Sequence, residues 1–547
     1  MVSRLYYDMS KVFLAVLVFA ASLSAMPAKA LDLDQAQRDG FLVSEALALG
    51  ARGDWTGAET LVAAASPIVR DVVLWRKLRS GDGSYDEYRD YIARRGDWPG
   101  RSALERAVVG GGGSGQPVLR GEAADNWRAF SRAYRSKRYD DAEARLLEVT
   151  WSPEMLGDPK RWAKRRLALA RRAAREGRAE NAYRMASQHY LTTFDGYDYS
   201  DCEWVAGWIA LRKLGDPQRA IAHFTRFRES IETPISVGRG GYWLGRAYEA
   251  AGDQESARRW YADAAQFQTS FYGQLAAAKI GAPGLKALTQ GGLPDWRTHP
   301  AMRDDMVHLG AVLHYAGEDR LALATFSSLG ASLPAGALAP LSRLVLDLGK
   351  THYAVRVAKK AARRGVLIYP AYYPLHQVGK YATKVEPAFA LSIARQETEM
   401  NPRAISRAGA RGLMQLMPAT ARKVASWIGE DYSRDRLIND WQYNVRLGET
   451  YLSRRTEQFG GSYVMAAAAY NAGAGRVDQW IGDFGDPRRG DIDVIDWMEQ
   501  IPFNETRNYV QRVMEGLYVY HARLDDFAGP MSIEADLARG FTVQASQ

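Results

Sequence analysis

A glycine followed five residues later by an alanine recurs along the N-terminal part of this 547-residue chain. The pair stands at Gly53/Ala58, Gly177/Ala182, Gly215/Ala220, Gly252/Ala257 and Gly317/Ala322, with an acidic residue after the glycine at Asp54, Asp216, Asp253 and Glu318. Glycine takes the left-handed turn that ends one helix, and alanine lets the next helix pack close against it. The spacing from 177 to 215 to 252 is near the period of two-helix repeats, whose units bury their apolar faces only by stacking on neighbours. Tyr248, Trp260 and Tyr261 are expected as aromatic filling between such helices. No stretch alternates apolar and polar residues as a half-buried strand would. The expected fold class is therefore all-α, with an irregular α-superhelix of helix pairs over 31–368, interrupted by the glycine run 110–115.

The pattern changes near Tyr369-Pro370-Ala371-Tyr372-Tyr373-Pro374, which places a domain boundary at 368/369. Residues 369–525 then read as a second helical domain, and 526–547, without strong periodicity, as a flexible tail. At the other end, Arg4 and Lys11 precede an apolar run from Val12 to Ala25, and Ala28-Lys29-Ala30 fits a small-residue cleavage site. This is the make-up of a signal peptide over 1–30, too short for a comfortable membrane span, and the expectation is an exported chain with no membrane insertion after its removal. Loss of Arg4, Lys11, Lys29 and Asp8 takes the net charge from +9 to +7. A mild basic excess suits an acidic polymer. The strongest basic stretch, Lys160 to Arg166, would serve nucleic acid, which export argues against. Cys202 is the single cysteine, so no internal disulfide forms. The histidines lack metal-ligand spacing, so neither metal nor cofactor is expected.

The second domain holds the chemistry. Pro387 to Glu399 reads as helical, with Asn401-Pro402 marking the helix end. At about 100° per residue Glu397 falls on the apolar line of Ala390 and Ala394, whereas Glu399 faces solvent. Desolvation raises a carboxyl pKa, and a proton retained near neutrality is what a general acid needs. A structural ion pair is the competing reading of the same residue. Arg395 and Gln396 lie off that line and read as packing or surface positions. Three further motifs follow: Gly412-Leu413-Met414-Gln415, then Ala469-Tyr470-Asn471-Ala472-Gly473, then Pro502-Phe503-Asn504-Glu505-Thr506-Arg507-Asn508-Tyr509-Val510. Each alone is a common capped loop or helix start.

In this order and spacing the motifs resemble the soluble lytic murein transglycosylases, most sharply across 385–520. Thr398 stands where that family has serine, and it keeps a hydroxyl. Ser270-Phe271-Tyr272-Gly273-Gln274-Leu275-Ala276 looks like the family's segment between superhelix and catalytic domain. The resemblance implies a lysozyme-like catalytic domain over 369–525, peptidoglycan strands as partner and a periplasmic location. It implies that Glu397 protonates the glycosidic oxygen between N-acetylmuramic acid and N-acetylglucosamine. Glu397 then deprotonates the C6 hydroxyl of muramic acid, which closes a 1,6-anhydro ring, with the substrate's acetamido group standing in for a second carboxylate. Ser406, Gln415, Met417, Tyr470 and Glu505 match groove-lining positions. The Tyr470 hydroxyl is expected to orient Glu397, and Asn471 and Tyr509 to touch substrate or serve structure. Asp431, Asp435, Asp440 and Glu449 are the candidate second carboxylates, each also readable as a cap or surface charge. Two alternatives remain: a hydrolytic muramidase, and a non-catalytic repeat scaffold for envelope glycan or proteins.

Overall fold

A computed structural model describes residues 31–96, 98–99, 101, 104–105, 119–289, 291–524 and 532–542. The expected signal peptide and the glycine run 110–115 lie outside them. Among the described residues the regular structure is helical, and the only sheet-like contacts are isolated bridges pairing Ile405 with Arg411 and Arg411 with Leu416. No described helix is long and apolar enough to cross a membrane.

The repeat turns behave as their residues dictate. Gly53, Gly177, Gly215, Gly252 and Gly317 all have left-handed φ, between 66° and 84°. The alanines five residues on, 58, 182, 220, 257 and 322, are at most 2% exposed. Asp54, Asp216 and Asp253 cap the following helices by accepting from the amides of Gly57, Arg219 and Ser256. The same turn recurs at Gly349/Ala354 and, with a non-glycine residue, at Lys137/Ala142, where Lys137 takes φ 59°. Tyr261 is core, whereas Tyr248 and Trp260 are half-buried. Trp204 and Trp243, packed edge to face at 5.7 Å, fill the interior instead.

Two compact units result: Met1–Gly111 with Pro294–Leu344, and Gly112–Leu293 with Val345–Gln547. This division is not collinear with a boundary at 368/369, because the repeats at Gly177, Gly215 and Gly252 fall in the same unit as the C-terminal domain, whereas those at Gly53 and Gly317 fall in the other. Within the larger unit the Ser270–Ala276 segment makes that junction. The Phe271 amide donates to Glu515 Oε2 at 3.0 Å, and Gln274 Nε2 to the Glu515 carbonyl at 3.1 Å. Part of the basic stretch is interior too: Arg166 is buried and donates to Thr150 Oγ1 and the Met185 carbonyl. Cys202 is a buried free thiol whose pKa burial pushes up.

The tail expectation is corrected over 532–542. Ile533–Leu537 is helical, with Ile533 and Leu537 buried. His521 lies between Glu386 Oε1 at 2.5 Å and Asp536 Oδ2 at 3.4 Å, and Arg539 reaches Glu386 and Asp536. Burial alone would lower the His521 pKa, but its bonds to Asp536 and Glu386 outweigh that and hold it at about 9. Local periodicity carries no trace of partners so distant in sequence.

Candidate active site

The site is built on two crossed helices, Pro387–Thr398 and Asn504–Arg523. They approach closely because Gly516 faces Ser392, where a Cβ on the glycine would lie 2.4 Å from Ser392 Oγ. Ser392 Oγ donates to the Val513 carbonyl at 2.6 Å. Arg395 is buried, donates to the Tyr372 carbonyl and stacks on Tyr372 and Tyr373, a packing role as its off-line position implies.

Glu397 sits in the last turn of the first helix, partly open to solvent as a residue. Burial of its carboxyl is the largest influence and raises the pKa to about 7; the Glu505 charge adds to the rise, and a Tyr509 hydrogen bond opposes it. The Tyr509 hydroxyl donates to Glu397 Oε1 at 2.7 Å. Tyr470 does not make this bond: its hydroxyl donates to the Met414 carbonyl at 2.7 Å. The expected roles of the two tyrosines are thus exchanged, although Tyr470, whose pKa burial raises first, remains near enough for the Glu397 charge to add to the rise. Glu399 is not a solvent residue either. It leaves the helix with φ 53° and pairs with Lys359 at 2.5 Å and Arg356 at 3.2 Å.

The loop after the helix is held from below. Thr398 Oγ1 lies within bonding distance of the carbonyls of Ala394 and Leu413, so the hydroxyl that replaces serine ties helix to loop. Gly412 has φ 75°, and a Cβ there would fall 1.9 Å from the Leu437 carbonyl and 2.3 Å from Asn444 Nδ2. The glycine therefore admits protein packing, not a ligand. Fully buried Asn444 accepts from the Met414 amide and donates to the carbonyls of Arg411 and Leu437. Sequence reading missed it, because a lone Asn within a helix carries no mark of a loop 30 residues away. Gln415, with φ 49°, donates to the carbonyls of Ala404 and Gly412, and Ser406 Oγ accepts from the Ala410 amide. Met417 is 42% exposed and free to pack on a ligand. Asn471 Oδ1 accepts from Thr506 Oγ1 at 2.7 Å, joining two motifs, and Glu505 is exposed.

Two of the four candidate second carboxylates are engaged elsewhere. Asp440 caps a helix through the Tyr443 amide and pairs with Arg436, and buried Glu449 accepts from the amides of Thr383 and Lys384. Asp431 and Asp435 are exposed. Among the described residues no group of three or more His, Cys, Asp or Glu could hold a metal.

A desolvated, tyrosine-bonded carboxyl thus sits at the end of a helix in an all-α domain, and a family match covers that helix. Residues 375–491 match the family model of the Transglycosylase SLT domain. The chain is 39% identical over 145 residues to the soluble lytic murein transglycosylase of Escherichia coli (strain K12), covering 26% of this chain and 22% of that protein. The counterpart from Salmonella typhimurium is 40% identical over 131 residues, 24% of this chain and 20% of the relative. The matches thus span about a fifth of the length of these curated relatives. The solved structure of lytic transglycosylase Slt (inactive mutant) from Pseudomonas aeruginosa superposes with a TM-score of 0.54 at 21% identity, covering 90% of this chain and 82% of that one. That likeness is one of fold.

The two neighbours of Glu397 have opposite effects on its proton. Tyr509→Phe removes a bond that favours the carboxylate, so the pKa should rise; Glu505→Gln removes a like charge, so it should fall. If the protonated form is the active one, the alkaline limb of the kcat/KM profile should move up in the first variant and down in the second. Profiles that do not move, or move together, would contradict these assignments.

Proposed function

We propose that the chain is a lytic transglycosylase of peptidoglycan, cleaving the bond between N-acetylmuramic acid and N-acetylglucosamine with Glu397 as sole acid and base. One observation carries this reading: a Glu397 carboxyl protonated to about pH 7 and aimed by Tyr509. Such a group donates its proton to the glycosidic oxygen and, as carboxylate, accepts one from the C6 hydroxyl. Ring closure by that hydroxyl gains from its proximity and leaves a 1,6-anhydromuramoyl end. The substrate acetamido group takes the place of a protein nucleophile, in keeping with the engagement of Asp440 and Glu449 elsewhere. Gln415, Ser406, Met417, Tyr470, Glu505 and Asn471 form the groove around it, with Met417 against a sugar face. The substrate lies in the periplasm, which the signal peptide read from 1–30 would reach, and the repeats offer surfaces to envelope proteins.

The products decide the reaction. Purified murein digested with the protein should yield muropeptides lighter than the hydrolytic ones by one water, as mass spectrometry reads directly. Reducing ends of full mass would mean a muramidase that uses water, and no soluble product would favour a binding scaffold.

A further inference from the structure

A cavity of about 770 Å³ is lined in part by residues just before Tyr509 in the chain. It lies wholly within the larger unit, between the helices Pro159–Arg175 and Tyr197–Ile209 and the segment 502–508. None of Glu397, Gln415, Met417, Tyr470 and Tyr509 lines it. Its walls carry Lys164, Arg171, Arg172, Arg175, Arg239 and Arg507 against two carboxylates, Asp198 and Asp201.

The partners of these cations leave an excess. Arg171, Arg239 and Arg507 share one buried carboxylate, Glu499, at 3.5, 3.5 and 3.7 Å. Arg172 is paired with Asp140 and Glu176. Arg175 and Lys164 make no hydrogen bond or ion pair with any described residue, and Arg175 is half-buried. Burial first, then the charges of Arg171 and Arg172, lower its pKa to about 10 against the opposing charges of Glu176 and Asp483, so it stays charged at neutrality with no carboxylate bonded to it. A guanidinium held in that state costs free energy, which a charge-assisted bond to an entering anion recovers. The planar fork suits the paired oxygens of phosphate or carboxylate.

We propose that this cavity binds a compact oxyanion with at least two negative charges, phosphate or carboxylate in chemistry, with Arg175 as its main bidentate partner and Lys164 at its rim. The site is separate from the glycan groove and does not depend on the proposed reaction. An anion here joins the repeat helices to the segment that carries Tyr509.

Isothermal titration of the full chain with sodium pyrophosphate, and separately with sodium citrate, at constant ionic strength set by sodium chloride, tests it. The expected result is saturable one-to-one, sub-millimolar binding of at least one anion, weakened tenfold or more in Arg175→Gln and weakened in Lys164→Gln, with Glu397→Gln binding as the parent does. Lys164 is exposed, so its variant reports binding without a burden on folding. Binding of pyrophosphate alone assigns a phosphate ligand, and binding of citrate alone a carboxylate one. No saturable heat from either anion, or equal affinity in the Arg175 and Lys164 variants, would overturn the proposal.

Discussion

Glu397→Gln is expected to remove nearly all cleavage of murein and, at the same time, to make the protein more stable than its parent at alkaline pH. The first effect follows from the proton. General acid catalysis contributes roughly 10²–10⁴-fold, about 3–5 kcal/mol of barrier, and an amide can neither give that proton nor accept one from the C6 hydroxyl. Both half-reactions fail together, so the loss should reach the limit of detection. The amide oxygen can still accept from Tyr509, so the fold is kept. The second effect follows from burial. The Glu397 carboxyl has its pKa raised from 4.5 to about 7 in the folded chain. The folded state therefore holds the proton more tightly than the unfolded one, and the parent is favoured most below the unfolded pKa. That advantage drains away as pH rises from 4.5 through 7, a loss of up to about 3 kcal/mol at 1.36 kcal/mol per pH unit. Glutamine pays no such penalty. Thermal unfolding of the two proteins should nearly coincide at pH 5 and separate at pH 8, with the variant higher. Equal activity would sink the catalytic assignment, and a separation that does not grow with pH would sink the claim of a desolvated carboxyl.

The sequence carried these features unevenly, for physical reasons. A repeat turn is local: one residue must take a left-handed φ and another must be small, so Gly53/Ala58 and its successors were legible; Gly349/Ala354 has the same form but was passed over, and Lys137/Ala142 escaped by using a non-glycine residue. Glu397 was legible because a carboxyl on an apolar helical line is a local contradiction. The choice between Tyr470 and Tyr509 was not. Both tyrosines lie on buried helices, and which hydroxyl meets the carboxyl depends on how the Asn504–Arg523 helix crosses the glutamate helix, set by Gly516 against Ser392. Asn444, Glu499 and Glu515 were invisible for a related reason. Each is a polar residue within an ordinary helix whose partners, such as Met414, Tyr272 and Phe271, are supplied by distant segments. Glu399 was misjudged because its helix ends one residue earlier, so helical geometry no longer told where it points.

Glu499→Gln is expected to be the most damaging single change away from the reacting groups. Its side chain is wholly buried beneath Arg171, Arg239 and Arg507, takes a bond from Gln511 Nε2 at 2.8 Å and is bonded by the Tyr272 hydroxyl. Burial alone would raise its pKa, but Arg239, Arg171 and Arg507 together hold it below the usual carboxylate range. An amide of the same shape leaves three guanidiniums facing one another in the interior. Removing one side of a buried ion cluster typically costs about 3–5 kcal/mol, because the charges left behind are neither solvated nor paired. The sign with pH distinguishes charge from shape. A depressed carboxylate pKa stabilises the fold above the unfolded pKa and ceases to do so as pH falls through the folded value. The gap between parent and variant in thermal unfolding should therefore be wide at pH 7 and narrow in strong acid. A gap of the same size in both conditions would mean that packing, not charge, is what the substitution disturbs. Adding Arg239→Gln to the variant should recover part of the loss, since it removes one of the stranded charges. Arg507 stands two residues before Tyr509 on the same helix, so loosening the cluster should also release the hydroxyl that aims Glu397. Activity and stability should accordingly fall together in Glu499→Gln and return together in the double variant, whereas Tyr509→Phe should change the pH profile with little change in unfolding.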